Sequence, residues 1–412
     1  MEPDSVALVV VLLLLAAGGL AAAVHFRPVA IKIVTGLLAL TLATFSGVAI
    51  VNVYYGYYQT WSELAADLTN SYSHFTGPHT AGKTAAGSGH GQIQQLTLDG
   101  SRSGISRAGY VYLPPQYFQR KYAHTRFPVV ELLHGSPGTP VNWVLQINIA
   151  SIMDQLIAKN FLGPLIIVMP SIDSGHTFQE CTDAPGAMDD TYISRDVPQD
   201  IRAHYRASLI AAEWGIAGYS SGGYCAANLA LRHRSAYGAA GIMDGYYRPT
   251  DGPAAAALHN NTRLEQQNDP LAAVQQLGRG ADPLPAFWIS AGTASAKYAL
   301  GARAFVKALH GIQGVDFTSE PGAGHNFYAW RPAVPRMLGW MWHQIAPPAL
   351  RVQFPIAGPV NNTILLAPKA PPRSTTPGAR DRHHQHRHTR SAGPSTPTHT
   401  ASTPATTRNP QT

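Results

Sequence analysis

The chain has 412 residues, room for one large catalytic domain with extra segments or for two domains. Charged residues make up 13% and hydrophobic residues 45%, which argues against a wholly soluble chain and for a part that lies in lipid. The net charge of +7 does not indicate a nucleic-acid binder, because much of the excess (Arg373, Arg380, Arg382, Arg387, Arg390, Arg408) sits in a terminal stretch with no aromatic interleaving and no nucleic-acid motif.

Residues Val6 to Val24 are almost purely Val, Leu, Ala and Gly, uncharged, and of the length that spans a bilayer, about 20 residues. A second apolar run, Ile33 to Val53, follows after a short connector that holds Arg27, with Lys32 just before the run. The pair reads as a transmembrane hairpin. A signal peptide is the rival for the first run, but it would begin with basic residues, and Met1-Glu2-Pro3-Asp4 is acidic. Arg27 and Lys32 place the connector in the cytoplasm by the positive-inside rule, which puts the N-terminus and everything after Val53 outside the cell membrane. Tyr54, Tyr55, Tyr57, Tyr58 and Trp61 mark the exit, either as an aromatic belt at the lipid–water boundary or as a patch that packs on the following domain.

These features divide the chain into a membrane hairpin (1–58), a linker (59–91), a folded domain (92–348) and a low-complexity tail (349–412). The Gly/Ser/Thr/His stretch Thr76–Gly91 marks the linker, and the Pro/Thr/Ser/His-rich segment from Pro368 onward has too little apolar surface to fold. The tail's His383-His384-Gln385-His386-Arg387-His388 reads as polar filler before it reads as a metal site. Two cysteines, Cys181 and Cys225, are too few for a metal cluster. They are either one disulfide of an extracellular domain or two unrelated buried thiols.

Within the folded domain, short apolar runs alternate with helical stretches. The predicted strands are Ile93–Leu98, Ala108–Leu113, Val129–Leu133, Leu165–Met169, Ile216–Ala217, Ala239–Met243, Phe287–Ser290 and Val315–Thr318. The predicted helices include Asp196–Ala212, Gly222–Arg232 and Ala302–Leu309. This alternation implies an α/β fold, a mostly parallel sheet with helices on both faces, with its site at the carboxyl ends of the strands.

Gly218-Tyr219-Ser220-Ser221-Gly222 fits G-x-S-x-G. In a chain this rich in Gly and Ser the pattern alone is weak, but here a short apolar strand leads in and an Ala/Leu-rich helix leads out. That is the context of a nucleophile elbow, where glycines permit a tight strand-to-helix turn that raises the Ser220 hydroxyl above the sheet. The turn also sets the Ser221 N–H at a helix N-terminus, where it can stabilise an oxyanion. The second oxyanion donor is expected in the loop Leu133-His134-Gly135-Ser136-Pro137-Gly138, with the Ser136 N–H nominated. His134 comes too early in chain order to be the base and reads as a structural histidine. His325, after the last strand in Gly322-Ala323-Gly324-His325-Asn326-Phe327, is the expected base.

The elbow, the Leu-Leu-His-Gly-Ser loop, Asn268-Asp269-Pro270 and His325-Asn326-Phe327-Tyr328-Ala329-Trp330 together resemble the esterase D/antigen 85 group of α/β-hydrolases, most closely its membrane-anchored actinobacterial members. The resemblance spans roughly residues 90–346 and implies an α/β-hydrolase fold preceded by two transmembrane helices. It also implies a serine that forms an acyl-enzyme, which is passed to water by an esterase or to a sugar hydroxyl by a mycolyltransferase. Carried over by position, it makes Ser220 the nucleophile, His325 the base and the Ser136 and Ser221 amides the oxyanion hole.

The triad acid does not carry over. The family places it after the seventh strand, behind a Gly-Thr pair, where this chain has Ala291-Gly292-Thr293-Ala294-Ser295-Ala296-Lys297-Tyr298 and no carboxylate. Asp244, after the sixth strand, is the favoured substitute; its competing role is a turn-forming Asp before Gly. Ser295 as a neutral partner, Asp269, or an outright loss of catalysis are the alternatives. The expected function is therefore a membrane-anchored extracytoplasmic serine esterase or acyltransferase acting on ester or acyl-lipid substrates, with no cofactor and no metal. A catalytically weakened envelope-binding module is the main alternative. A peptidase is a weaker one, since no specific peptide pocket is legible. The oligomeric state is not legible either.

Overall fold

The computed structural model describes residues 1–69, 89–173, 181–184, 186–249, 258, 261–277, 284–309, 315–356 and 358. Most of the Thr76–Gly91 stretch and all of the tail from Pro368, with its histidine tract, lie outside the described residues.

The chain opens with two long helices, α1 (Val6–His25) and α2 (Val29–Tyr55). Both are long and apolar enough to cross a membrane. They pair through small residues. Ala16, Ala39, Ser46 and Ala49 are buried, and a side chain added at Gly19 would come 3.2 Å from the Ala39 Cβ. Close approach of backbones of this kind is how apolar helices associate where no hydrophobic effect drives them together. Leu14, Leu38 and Phe45 are largely exposed on the outside of the pair. A short helix, α3 (Trp61–Leu68), follows within the segment read as linker, started by a capping box in which the Thr60 hydroxyl accepts from Glu63 N–H and the Glu63 carboxylate accepts from Thr60 N–H.

The domain that follows is built on an eight-stranded sheet. Its strands are β1 (Gln92–Asp99), β2 (Ser106–Leu113), β3 (Val129–Leu133), β4 (Ile166–Met169), β5 (Trp214–Tyr219), β6 (Ala239–Met243), β7 (Ala286–Gly292) and β8 (Val315–Glu320). They lie in the order β1-β2-β4-β3-β5-β6-β7-β8. β1 and β2 run antiparallel at one edge, and β3 to β8 are parallel.

Alternate residues serve opposite faces, as strand geometry demands. In β3, Val129 and Leu133 join one core while Val130 and Leu132 join the other. The first core is closed by α5 (Val197–His204), α6 (Ser221–Arg232) and α7 (Ala296–Leu309). The second is closed by α4 (Ile149–Ala158) and α8 (Phe327–Ile345). β5 and β6, covered on both faces, read as unbroken apolar runs, whereas β3 buries Glu131 and the edge strand β8 carries Asp316, Thr318, Ser319 and Glu320.

The helix expected over Asp196–Ala212 ends at His204. Tyr205 turns extended, and the chain beyond it pairs with Phe127, whose N–H donates to the Arg206 carbonyl and whose carbonyl accepts from Ser208 N–H. At the other end, Pro348–Gln353 is helical in the segment read as the start of the tail, and its Leu350 is buried in the second core.

Candidate active site

Ser220 stands between β5 and α6. Its backbone is held at φ 56°, ψ −123°, a conformation non-glycine residues rarely adopt. Its N–H donates to the Met243 carbonyl on β6, and its own carbonyl accepts from Tyr224 N–H one turn into α6. The flanking glycines are required by contact. A Cβ at Gly218 would lie 2.4 Å from the Gly222 backbone, and one at Gly222 would lie 2.2 Å from the Leu133 carbonyl oxygen. The strand-to-helix turn is thus pressed against the end of β3, with no space for a side chain two positions before or two positions after the serine.

His325 follows the turn after β8 and immediately precedes the cap residue of α8. Its Nε2 lies 2.8 Å from Ser220 Oγ across 105 positions of sequence. Burial drives its pKa down to about 3, helped by the positive charge of Lys297. The imidazole is therefore neutral at physiological pH, the form that can accept a proton.

The loop after β3 passes beside the nucleophile, since a Cβ at Gly135 would lie 3.2 Å from the Ser220 Cβ. Ser136 follows in that loop, and Ser221 is the first residue of α6, buried behind the nucleophile. His134 is fully buried and bridges backbone: its Nδ1 donates to the Gly135 carbonyl at 2.8 Å and its Nε2 accepts from Ile172 N–H at 3.2 Å. It holds the loop and plays no part at Ser220.

The expectation that Asp244 would reach His325 is corrected. One Asp244 oxygen accepts from Gly292 N–H at 2.7 Å and the other from Trp330 Nε1 at 2.9 Å. Both are committed to stitching β6 to β7 and to α8. Burial raises the Asp244 pKa to about 6, opposed by those two donors. His325 Nδ1 is buried with no hydrogen-bond partner among the described residues, neither Asp244 nor Ser295. Asp269 is likewise elsewhere, capping a short helix at Ala272 N–H.

Rings surround the imidazole in place of an acid. Tyr298 stacks on it, with centroids 3.7 Å apart and planes 6° from parallel. Trp330 meets it edge-on at 4.9 Å. Tyr298 was missed in the sequence, because a lone tyrosine in the first turn of a helix carries no motif. Trp330 was visible as the last residue of the motif that begins at His325, with no role read from it.

Cys181 and Cys225 are disulfide-bonded, their Cα atoms 5.6 Å apart. The bond ties Cys181 to the second turn of α6, behind the elbow.

With this geometry in view, the Esterase family model matches residues 101–341, more than half the chain. The chain belongs to the Esterase family. An uncharacterized protein of Corynebacterium glutamicum is 28% identical over 319 residues, covering 73% of this chain and 74% of that one. A xylanase/feruloyl esterase of Xylanibacter ruminicola is 38% identical over 81 residues, 19% of this chain and 11% of its own length. Among solved structures, a ferulic acid esterase superposes with a TM-score of 0.55 at 23% identity, covering 62% of this chain and 99% of that one. An S-formylglutathione hydrolase of Agrobacterium tumefaciens superposes with a TM-score of 0.53 at 20% identity, over 62% and 96% of the two chains. These likenesses show the α/β-hydrolase fold, and membership of the family makes this esterase a hydrolase.

Proposed function

We propose that this esterase is a membrane-anchored, extracytoplasmic serine hydrolase or acyltransferase that works through a Ser220 acyl-enzyme. The observation that carries the reading is the 2.8 Å approach of His325 Nε2 to Ser220 Oγ, with the serine held at positive φ on an elbow. Ser220 Oγ–H donates to Nε2, so His325 carries its proton on Nδ1. As Oγ attacks the ester carbonyl, the proton passes to Nε2, and the Ser136 and Ser221 N–H groups receive the oxyanion. The imidazolium then protonates the leaving alcohol, and the acyl group remains on Ser220. Water releases it as an acid, or an acceptor hydroxyl takes it as a new ester.

Anchoring is supported by the length and apolar surface of α1 and α2, and an outside location by Arg27 in the turn that joins them and Lys32 in the first turn of α2. The Cys181–Cys225 bond adds a second line of support, since disulfides persist in oxidising compartments. An actinobacterial setting draws support from the Corynebacterium relative, whereas an envelope role of the antigen 85 kind rests on the sequence motifs alone.

A fluorophosphonate probe is expected to label Ser220 in the folded chain and to leave Ser220→Ala unlabelled. A folded wild-type protein that never labels rejects this reading.

The bare His325 Nδ1 favours a second reading, a domain with weakened catalysis that serves as an envelope-binding module. It requires Ser220→Ala to preserve the biological role in the producing cell; loss of that role in the mutant excludes it.

A further inference from the structure

The exit of the hairpin is fastened to the residues that follow His325. Asn326, the next residue, donates from Nδ2 to the Tyr54 carbonyl at 3.0 Å. The Tyr328 hydroxyl donates to Asp4 at 2.9 Å. Tyr57 packs on Phe327 with ring centroids 5.2 Å apart. Arg331 pairs with Gln59 and lies 3.6 Å from the Glu63 carboxylate. Gly56 turns left-handed at φ 68° beneath the Tyr328 ring, where a Cβ would come within 2.7 Å. Every contact falls on Asn326 or the opening turns of α8, the helix that His325 introduces.

Element lengths fix the level of this junction in a bilayer. The 20 residues of α1 rise about 30 Å, the thickness of the hydrocarbon core. The 27 residues of α2 rise about 40 Å from the same short connector. Lys32 in the first turn of α2 stands at the opposite boundary, so the run from Ile33 to Val53 fills the hydrocarbon and the last turns of α2 emerge into the headgroup layer. Tyr54 lies in those turns, and Asn326 bonded to it is the neighbour of His325. Ester carbonyls of membrane lipids lie at this same boundary.

We propose that the exit segment and the start of α8 form a clamp that holds the Ser220–His325 pair at the bilayer surface, and that its substrates are membrane-resident esters drawn laterally from the leaflet. This deepens the preceding reading and rests on it. A tether of flexible chain would leave the site free to face any direction. A carbonyl hydrogen bond, a tyrosine–aspartate bond, a ring contact and an ion pair on one short segment leave it one orientation.

The test uses the full chain reconstituted in phosphatidylcholine/phosphatidylglycerol vesicles, assayed with 4-methylumbelliferyl oleate in the bilayer and with the water-soluble butyrate. Wild type is expected to follow the mole fraction of oleate in the membrane at constant bulk concentration. The triple variant Gln59→Ala, Glu63→Gln, Tyr328→Phe leaves Asn326 untouched, and a glutamine in place of Glu63 keeps the capping interaction of α3. It is expected to lose about tenfold in oleate turnover while butyrate turnover stays within about threefold and fluorophosphonate labelling persists. Wild-type rates indifferent to surface mole fraction, or equal losses on both esters in a variant that still labels, overturn the proposal. Absence of both labelling and turnover in folded wild type instead rejects the serine-hydrolase reading beneath it, and the proposal with it.

Discussion

The ring of Tyr298 lies flat on that of His325, 3.7 Å between centroids, on a histidine whose Nδ1 meets no acceptor among the described residues. In a Ser-His-Asp arrangement a carboxylate orients the imidazole and stabilises its cation. A stacked ring can do the first without the second. Tyr298→Phe is accordingly expected to keep esterase activity within about threefold, whereas Tyr298→Ala, which frees the imidazole to rotate, lowers kcat about tenfold or more. Equal activity in the alanine and phenylalanine variants would show that stacking does not hold the base.

Asp244 supports structure and does not act on the base, and the two roles separate in one variant. Asp244→Asn replaces one acceptor oxygen by an amide N–H that faces a donor, Gly292 N–H or Trp330 Nε1–H. Thermal unfolding should register a loss of about 1–3 kcal/mol. Labelling of Ser220 should change little, whereas loss of a true triad acid costs roughly 10⁴-fold in kcat.

The pH dependence follows from the same two groups, with opposite signs. His325 has a folded pKa of about 3, below its ordinary 6.5, so the unfolded chain binds the extra proton between those values. Its contribution to stability is complete above pH 6.5 and is lost as pH falls toward 3. Asp244 has a folded pKa of about 6, above its ordinary 3.8; its contribution is present below 3.8 and lost as pH rises through 6. For catalysis, a base that stays neutral to about pH 3 predicts labelling rates that are flat from pH 8 down to 5. An acid limb centred near 6.5 would mean that His325 titrates as an exposed histidine does.

Supplying the missing acid should raise activity. Ser295 accepts from Tyr298 N–H and Ala299 N–H through its carbonyl at the start of α7, and its neighbour Ala294 donates to the Ala323 carbonyl two residues before His325. Aspartate suits a helix start as well as serine does. Ser295→Asp is expected to increase kcat by about tenfold or more and to raise the His325 pKa, read from the pH–rate profile.

The Cys181–Cys225 bond closes a loop of 44 positions behind the elbow. Chain entropy assigns such a closure a stabilisation of about 4 kcal/mol. Cys181→Ala with Cys225→Ala should lower the unfolding free energy by about 2–4 kcal/mol, measured by denaturant titration. An unchanged midpoint would show that the bond adds nothing to the folded chain.

The sequence by itself determined whatever depends on neighbours along the chain. Apolar runs marked the eight strands of the main sheet, most plainly β5 and β6, which are buried on both faces and carry no polar alternation to blur them. The G-x-S-x-G pattern marked the elbow because Gly218 meets Gly222 within one turn, although the clash Gly222 avoids is with the Leu133 carbonyl of β3; the apolar lengths of α1 and α2 marked the hairpin. Only the tertiary structure decided what lies beside His325. Asp244 could be a partner on paper, but strand order sets one of its oxygens against Gly292 N–H and the other against Trp330 Nε1, and neither bonds His325 Nδ1. Tyr298 reached the imidazole from another element. The clamp between Tyr54 and Asn326 joins residues 272 positions apart. No chain-local pattern encodes such pairings, since each arises from packing elements whose sequences carry no mark of one another.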